Sequence, residues 1–160
     1  MDPERKKKAL RTFTYGMYVA SAADGDELAA GAVNWISQAS FAPPLLMVAL
    51  RSESNLHRLV ERTHMLAVNV LTSEQKPIAA AFFKPSQVVE GRINGYAFQR
   101  GSLSGAPILE DAWAWVEARL TDTVKRGDHS VFVAEVVAAD IRNGDRRALI
   151  MWDTEWVYAG

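Results

Sequence analysis

Residues 112–141, AWAWVEARLTDTVKRGDHSVFVAEVVAADI, decide how this chain is built. Early in the stretch, Trp113, Trp115, Glu117 and Arg119 fall on one side, and Ala114, Val116, Ala118 and Leu120 on the other. That is the two-residue period of an extended strand, whose successive side chains point to opposite faces. SVFVAEVVAADI repeats the pattern after RGDH, where Gly127 and Asp128 suit a sharp turn. Two alternating runs joined by a short turn predict an antiparallel hairpin rather than parallel strands with a helical crossover.

Working outward, the same grammar recurs. YGMYVASA and LAAGAVNWIS flank ADGDE, which carries the turn chemistry of a second hairpin, and residues 31–40 are read as strand running into the Ala42-Pro43-Pro44 corner. PLLMVALR is a continuous apolar run of strand length, as expected of a strand buried on both faces. SNLHRLVERT switches to helical spacing, with Leu56, Leu59 and Val60 on one side and Ser54 at the N-cap. MLAVNVL reads as a strand and SEQKPIAAAFF as a short helix with Pro77 near its first turn. Residues 3–12 read as a helix with Leu10 on its apolar side, residues 84–106 as a turn-rich mobile loop, and RRALIMWDTEWVY as a final strand. Six or seven strands, mostly in hairpins, predict a mainly β single domain over residues 1–160: an antiparallel split β-barrel with short inserted helices and an N-terminal helix.

Composition narrows the chemistry. A net charge of −1 and a pI near 6.3 give no general attraction to nucleic acid or anionic lipid. The basic run RKKKALR is read as a solvated helix face. The chain has no cysteine, and His57, His64 and His129 lack metal-ligand spacing, so no metal site is expected. The N-terminus is charged, and no apolar run approaches the roughly 18 residues of a membrane span. The expectation is a cytoplasmic protein without membrane or nucleic-acid partners. Nucleophile-elbow, phosphate-loop and dinucleotide-fingerprint motifs are all missing, so reactive chemistry would belong to a bound cofactor.

Three segments are candidates for holding it. Arg51, Ser52, Ser54 and Asn55 lie where a strand gives way to a helix, and a helix N-terminus beside an Arg suits a phosphate. The same residues also suit a plain surface charge and a helix cap. Asn34, Trp35, Ile36, Ser37 and Gln38 place polar groups in an apolar run, a pattern that fits the edge and face of a flat heteroaromatic ring. Trp35 fits equally a core or subunit-interface position. His129 stands where the RGDH turn meets its strand, either facing a ligand or serving structure.

Taken together, YGMYVASAADGDELAAGAVNW, SQASFAPPLLMVALRSESN, HMLAVNVL, GAPILEDAWAWVEARL and GDHSVFVAEVV resemble the flavin reductase-like family of FMN-binding split barrels. They come in the family's order and cover nearly the whole chain. The resemblance implies a homodimer with FMN, or FAD used as a substrate, near the subunit interface. Asn34 to Gln38 would run along the isoalloxazine and ribityl chain, with Arg51, Ser52, Ser54 and Asn55 on the phosphate. Phe83 and Lys84 would complete the flavin site, and His129 would face the nicotinamide or the flavin ring. Ala32 and Gln38 stand where the family commonly has Thr and Ser, so flavin contacts would lean more on backbone groups.

The implied function is hydride transfer from NADH or NADPH to flavin, with reduced flavin passing to a monooxygenase or another acceptor. Two alternatives are an FMN-binding electron carrier or sensor without nicotinamide turnover, and a pyridoxamine-phosphate-oxidase-like barrel binding a different cofactor.

Overall fold

The hairpin read from residues 112–141 is the centre of a seven-stranded antiparallel sheet in a computed structural model that describes residues 1–142 and 144–158. In chain order the elements are α1 (Pro3–Leu10), β1 (Tyr18–Asp24), β2 (Glu27–Val33), β3 (Ile36–Phe41), β4 (Pro44–Arg51), α2 (Asn55–Thr63) and β5 (Met65–Val70). They continue with α3 (Lys76–Ala81), β6 (Val88–Val89), β7 (Arg92–Ile93), β8 (Tyr96–Arg100), β9 (Pro107–Leu109), β10 (Ala114–Lys125) and β11 (His129–Ile141). A 3₁₀ turn at Met151–Asp153 follows.

The large sheet runs β2-β1-β5-β10-β11-β4-β3, and a smaller one runs β6-β7-β8-β9. The β10–β11 ladder extends from Ala114 opposite Ile141 to Lys125 opposite Ser130, with irregularities between Glu117 and Ala118 and between Leu120 and Asp122. Such bulges increase the local twist of a strand pair.

β2 and β3 are separated by two residues in the chain yet lie at opposite edges of the sheet. The link Asn34-Trp35 therefore brings the end of one edge strand near the start of the other, and no ladder joins β2 to β3 among the described residues. The single strand expected across residues 31–40 is thus two strands with a break. β2 pairing ends at Val33, and Trp35 already offers its carbonyl to the Ala49 N–H of β4 at 2.9 Å.

Both faces of the sheet are covered. On one, Leu56, Leu59 and Val60 of α2 pack with Val48, Leu50, Leu66, Val68, Ala118 and Phe132. On the other, Val19 and Leu71 pack with Ile78 and Ala79 of α3, with Phe82 just after it, and with Ile93 and Leu109 from the small sheet. This double covering explains why β1 is buried along five successive residues instead of alternating.

The alternation of β10 survives, but its second face is only partly in water: Arg119 is exposed and Glu117 is not. Glu117 is fully buried there, accepting from the Leu103 N–H (3.1 Å), the Ser104 N–H (2.7 Å) and the Ser104 hydroxyl (2.7 Å). Burial pushes its pKa up, but the hydrogen bonds from Ser104 and Leu103 outweigh this and hold the carboxyl below its usual value.

Three further expectations are corrected. Residues 84–106 are not a structureless loop; they build β6, β7 and β8. Glu90-Gly91 and Asn94-Gly95 all have positive φ, the requirement of two-residue hairpin turns, and Ile93 is fully buried beneath them. Residues 146–158 do not form a strand. Their pairing is limited to the isolated bridges Thr72–Ala148 and Gly16–Ile150, after which the chain turns at Met151–Asp153. Helix α1 ends at Leu10, not at residue 12, and buries no side chain; Asp2 caps it by accepting from the Glu4 N–H at 2.9 Å. Among the described residues, no helix is long and apolar enough to cross a membrane.

Candidate functional site

The site grows from the register between β4 and β11, which places Arg51 directly opposite His129. At the same end, the Ser52 N–H donates to the Asp128 carbonyl at 2.9 Å, tying the RGDH turn to the strand-to-helix corner. Ser54 then caps α2, its hydroxyl accepting from the His57 N–H at 3.1 Å, and Asn55 is the first helical residue. The first-turn N–H groups of a helix have no acceptor within it, so this corner presents donors to solvent beside the Arg51 guanidinium. Ser52 and Asn55 are exposed, and Arg51 meets one carboxylate, Glu53, at 4.0 Å.

The Asn34-Trp35 link brings a second set of groups to the same corner. The Trp35 ring centroid lies 4.7 Å from that of His129 and 6.5 Å from that of Tyr15. Asn34 Nδ2 and Trp35 Nε1 are both buried donors without an acceptor among the described residues. Buried donors are rarely left unpaired, because each such loss costs about 1–3 kcal/mol. The remaining members of this segment divide. Ile36 packs against the core; Ser37 and Gln38 are exposed on edge strand β3, donating to the carbonyls of Gln38 (3.0 Å) and Ser40 (3.3 Å).

Phe83 and Lys84 follow the end of α3. The Phe82 carbonyl accepts from the Ala32 N–H at 3.1 Å, which holds the end of α3 against β2 two residues before Asn34. Phe83 and Lys84 are both exposed. Arg51, Ser52, His129 and Trp35 thus form one continuous cluster, with Ser54 and Asn55 adjoining it through the chain. Phe83 is linked to it only through the segment that carries Trp156 and Tyr158, and no contact among the described residues joins Lys84 to it.

His129 is oriented by its neighbour. Its Nδ1 lies 2.8 Å from Asp128 Oδ1, and the His129 ring holds that carboxyl below its ordinary pKa. An ionised carboxylate only accepts, so in neutral His129 the proton sits on Nδ1 and Nε2 is left as an acceptor. Nε2 takes a hydrogen bond from the Tyr158 hydroxyl at 2.7 Å. Beneath it, buried Ser130 is held by His57 Nε2 at 2.8 Å, which couples α2 to the first residues of β11.

Asp128, Tyr158 and Trp156 were missed by sequence reasoning as members of this cluster. Trp156 meets Phe83 edge-on at 4.5 Å, and Lys76 Nζ lies 5.3 Å from the Trp156 ring. Residues 152, 154, 156 and 158 mimic a two-residue period, which is why the segment reads as a strand. Its aromatic density was the only signal of another role. Next to it, Phe13, Tyr15, Trp152, Trp156 and Tyr158 line an aromatic cleft of about 310 Å³, with Arg11 at its rim. Among the described residues, no group of three His, Asp or Glu side chains could hold a metal ion.

Comparison with known proteins bears on this geometry. The profile of the flavin reductase like domain matches residues 10–159. The chain belongs to this family. It is 33% identical over 147 residues to the NADPH-flavin oxidoreductase of Streptomyces viridifaciens, covering 88% of this chain and 76% of that protein. Among solved structures, it resembles the NADH:FAD oxidoreductase of Streptomyces globisporus C-1027 in complex with NAD and FAD fragments, with a TM-score of 0.80, 25% identity, and coverage of 94% and 90% of the two chains. The styrene monooxygenase flavin reductase of Pseudomonas putida S12 superposes with a TM-score of 0.75 at 29% identity, covering 93% of this chain and 91% of that one. The chain spans less than half of some longer relatives: 43% of one from Rhizobium meliloti and 46% of one from Aeropyrum pernix.

Proposed function

We propose that this chain is an NAD(P)H:flavin oxidoreductase that takes FMN, with FAD as a second flavin. The observation that carries the reading is the pair of unpartnered buried donors, Asn34 Nδ2 and Trp35 Nε1, beside an oriented histidine and a cationic helix corner. A flavin ring is rich in carbonyl and ring-nitrogen acceptors along one edge, so it fits two donors that lack an acceptor. Its single terminal phosphate, in FMN, fits Arg51 with Ser52, Ser54 and the first turn of α2.

Bound flavin would accept a hydride from the nicotinamide and later hand its electrons on. The chain's own residues would bind and orient. Trp35 supplies an aromatic surface, Asn34 to Gln38 the wall along the ring and its side arm, and Phe83 and Lys84 the opposite margin. His129, held in one tautomer by Asp128, presents Nε2 as an acceptor for the nicotinamide carboxamide. Hydride transfer needs no protein acid or base, which suits a site without paired carboxylates; positioning is the principal contribution.

Homodimer formation belongs to the same reading. β3 is an edge strand with exposed Ser37, Gln38 and Ala39, and Phe41 at its end is 90% exposed. A second copy covering that edge would bury it and place the flavin near the interface. A two-component monooxygenase is the partner favoured by the likeness to the styrene monooxygenase reductase. Cytoplasmic location is proposed with it.

Anaerobic titration tests the reading. FMN or FAD mixed with the protein should lose its visible absorbance on addition of NADH or NADPH. Flavin bound but left oxidised by both nucleotides would favour an electron carrier or sensor, and failure to bind or reduce any flavin would refute both.

A further inference from the structure

The segment 154–158 touches three parts of the cluster at once. Tyr158 sits edge-on to Trp35 at 5.4 Å and donates to His129 Nε2, while Trp156 packs on Phe83. Its attachment is through side chains: Trp156 is half-buried and packs against the core that holds Ile78, Phe82 and Ile93. Among the described residues, its other hydrogen bonds are local, from the Thr154 N–H and hydroxyl to the Met151 carbonyl and from the Trp156 N–H to the Thr154 hydroxyl. It pairs with no strand, and Val157 and Tyr158 remain 61% and 46% exposed. Burial raises the Tyr158 pKa, so the hydroxyl keeps the proton it donates.

We infer that Tyr158 is an internal stand-in for the nicotinamide and sets the affinity for the pyridine nucleotide. The chemistry of the two groups matches. A nicotinamide carries a flat ring with a carboxamide N–H donor; Tyr158 offers a flat ring with an O–H donor, seated on the only free lone pair that Asp128 leaves on His129. Both cannot use that lone pair together. The nucleotide must therefore displace residues 154–158, and its apparent affinity is the intrinsic affinity multiplied by the fraction of molecules in which the segment is already open. Phe83 and Lys76 on Trp156 set that fraction together with Tyr158.

This inference rests on the proposed NAD(P)H:flavin oxidoreductase activity. The test measures KM for NADH and NADPH, and the Kd for FMN, in the wild-type protein and in Tyr158→Phe. Losing one hydrogen bond from the closed form should lower the nucleotide KM by about 2- to 10-fold. Trp156→Ala, which acts on the segment without touching His129, should lower it as well. A nucleotide KM that is unchanged or raised in both variants, with flavin reduction intact, would overturn the stand-in role while leaving the activity standing. A wild-type protein that reduces no flavin with either nucleotide would remove the activity, and this inference with it.

Discussion

Replacing Arg51 with alanine separates the phosphate seat from a mere surface charge. The guanidinium side chain is 67% exposed; Glu53 lies 4.0 Å away and is itself exposed, so a surface pair of this kind contributes at most about 1 kcal/mol to folding. Asp128, which also feels the Arg51 charge, is exposed too and adds little. The fold should therefore tolerate the change. A charge-assisted bond to a phosphate is worth about 1.5–3 kcal/mol, and exposure here argues for the lower part of that range. At roughly 1.4 kcal/mol per decade, FMN should bind about 10- to 30-fold more weakly to Arg51→Ala. The assay is a flavin fluorescence titration run in parallel with riboflavin, which has the same ring and no phosphate. Riboflavin affinity should change by less than about 2-fold, since no phosphate contact is lost. FMN affinity unchanged in the variant would refute the seat. An equal loss for both flavins would mean that Arg51 acts on the ring or on the local fold.

Two predictions concern the scaffold beneath the site. Glu117→Gln can keep an amide oxygen where Oε1 accepts from Leu103 and Ser104 and set its NH2 toward the Ser102 hydroxyl, so it loses only the charge that strengthens those bonds and should cost about 1–2 kcal/mol in urea unfolding. Because the folded pKa of Glu117 lies below its ordinary value, its contribution is present above the unfolded pKa near 4.3 and fades as pH falls through the folded value. Wild-type stability should therefore drop more steeply than that of Glu117→Gln in this acid range; parallel curves would contradict the assignment. Gly95→Ala probes the turn between β7 and β8, where φ is +91° and an added Cβ would meet nothing within 4 Å. The cost should be purely conformational, about 1–2 kcal/mol, and an unchanged unfolding midpoint would show that the turn relaxes.

Much of the fold was legible because its signals are local. The alternation of residues 112–120, the helical spacing of Leu56, Leu59 and Val60, and the apolar run of β4 each translate directly into an element. The small sheet was legible too, in principle: Asn94-Gly95 is a strong hairpin dipeptide, but its flanking strands are too short to show a period. The tail misread as a strand has the opposite fault, a period without a partner. Its aromatic residues pair with side chains rather than with a ladder.

The site was legible as a set of segments, not as an arrangement. Residue types at the β4–α2 corner suit the proposed phosphate seat, and Asn34-Trp35 marks a break in an apolar run. Nothing local says that Arg51 faces His129, a relation 78 positions apart that follows from the register of β4 on β11.

By itself, then, the sequence determined which runs extend, which coil, where they turn and which faces are apolar, because those depend on neighbours within a few residues. Only the tertiary structure decided that β2 and β3, adjacent in the chain, close opposite edges of one sheet, and that Tyr158 ends on His129. Periodicity states that a face is buried; which strand or side chain buries it is set by pairing, register and twist across the whole molecule.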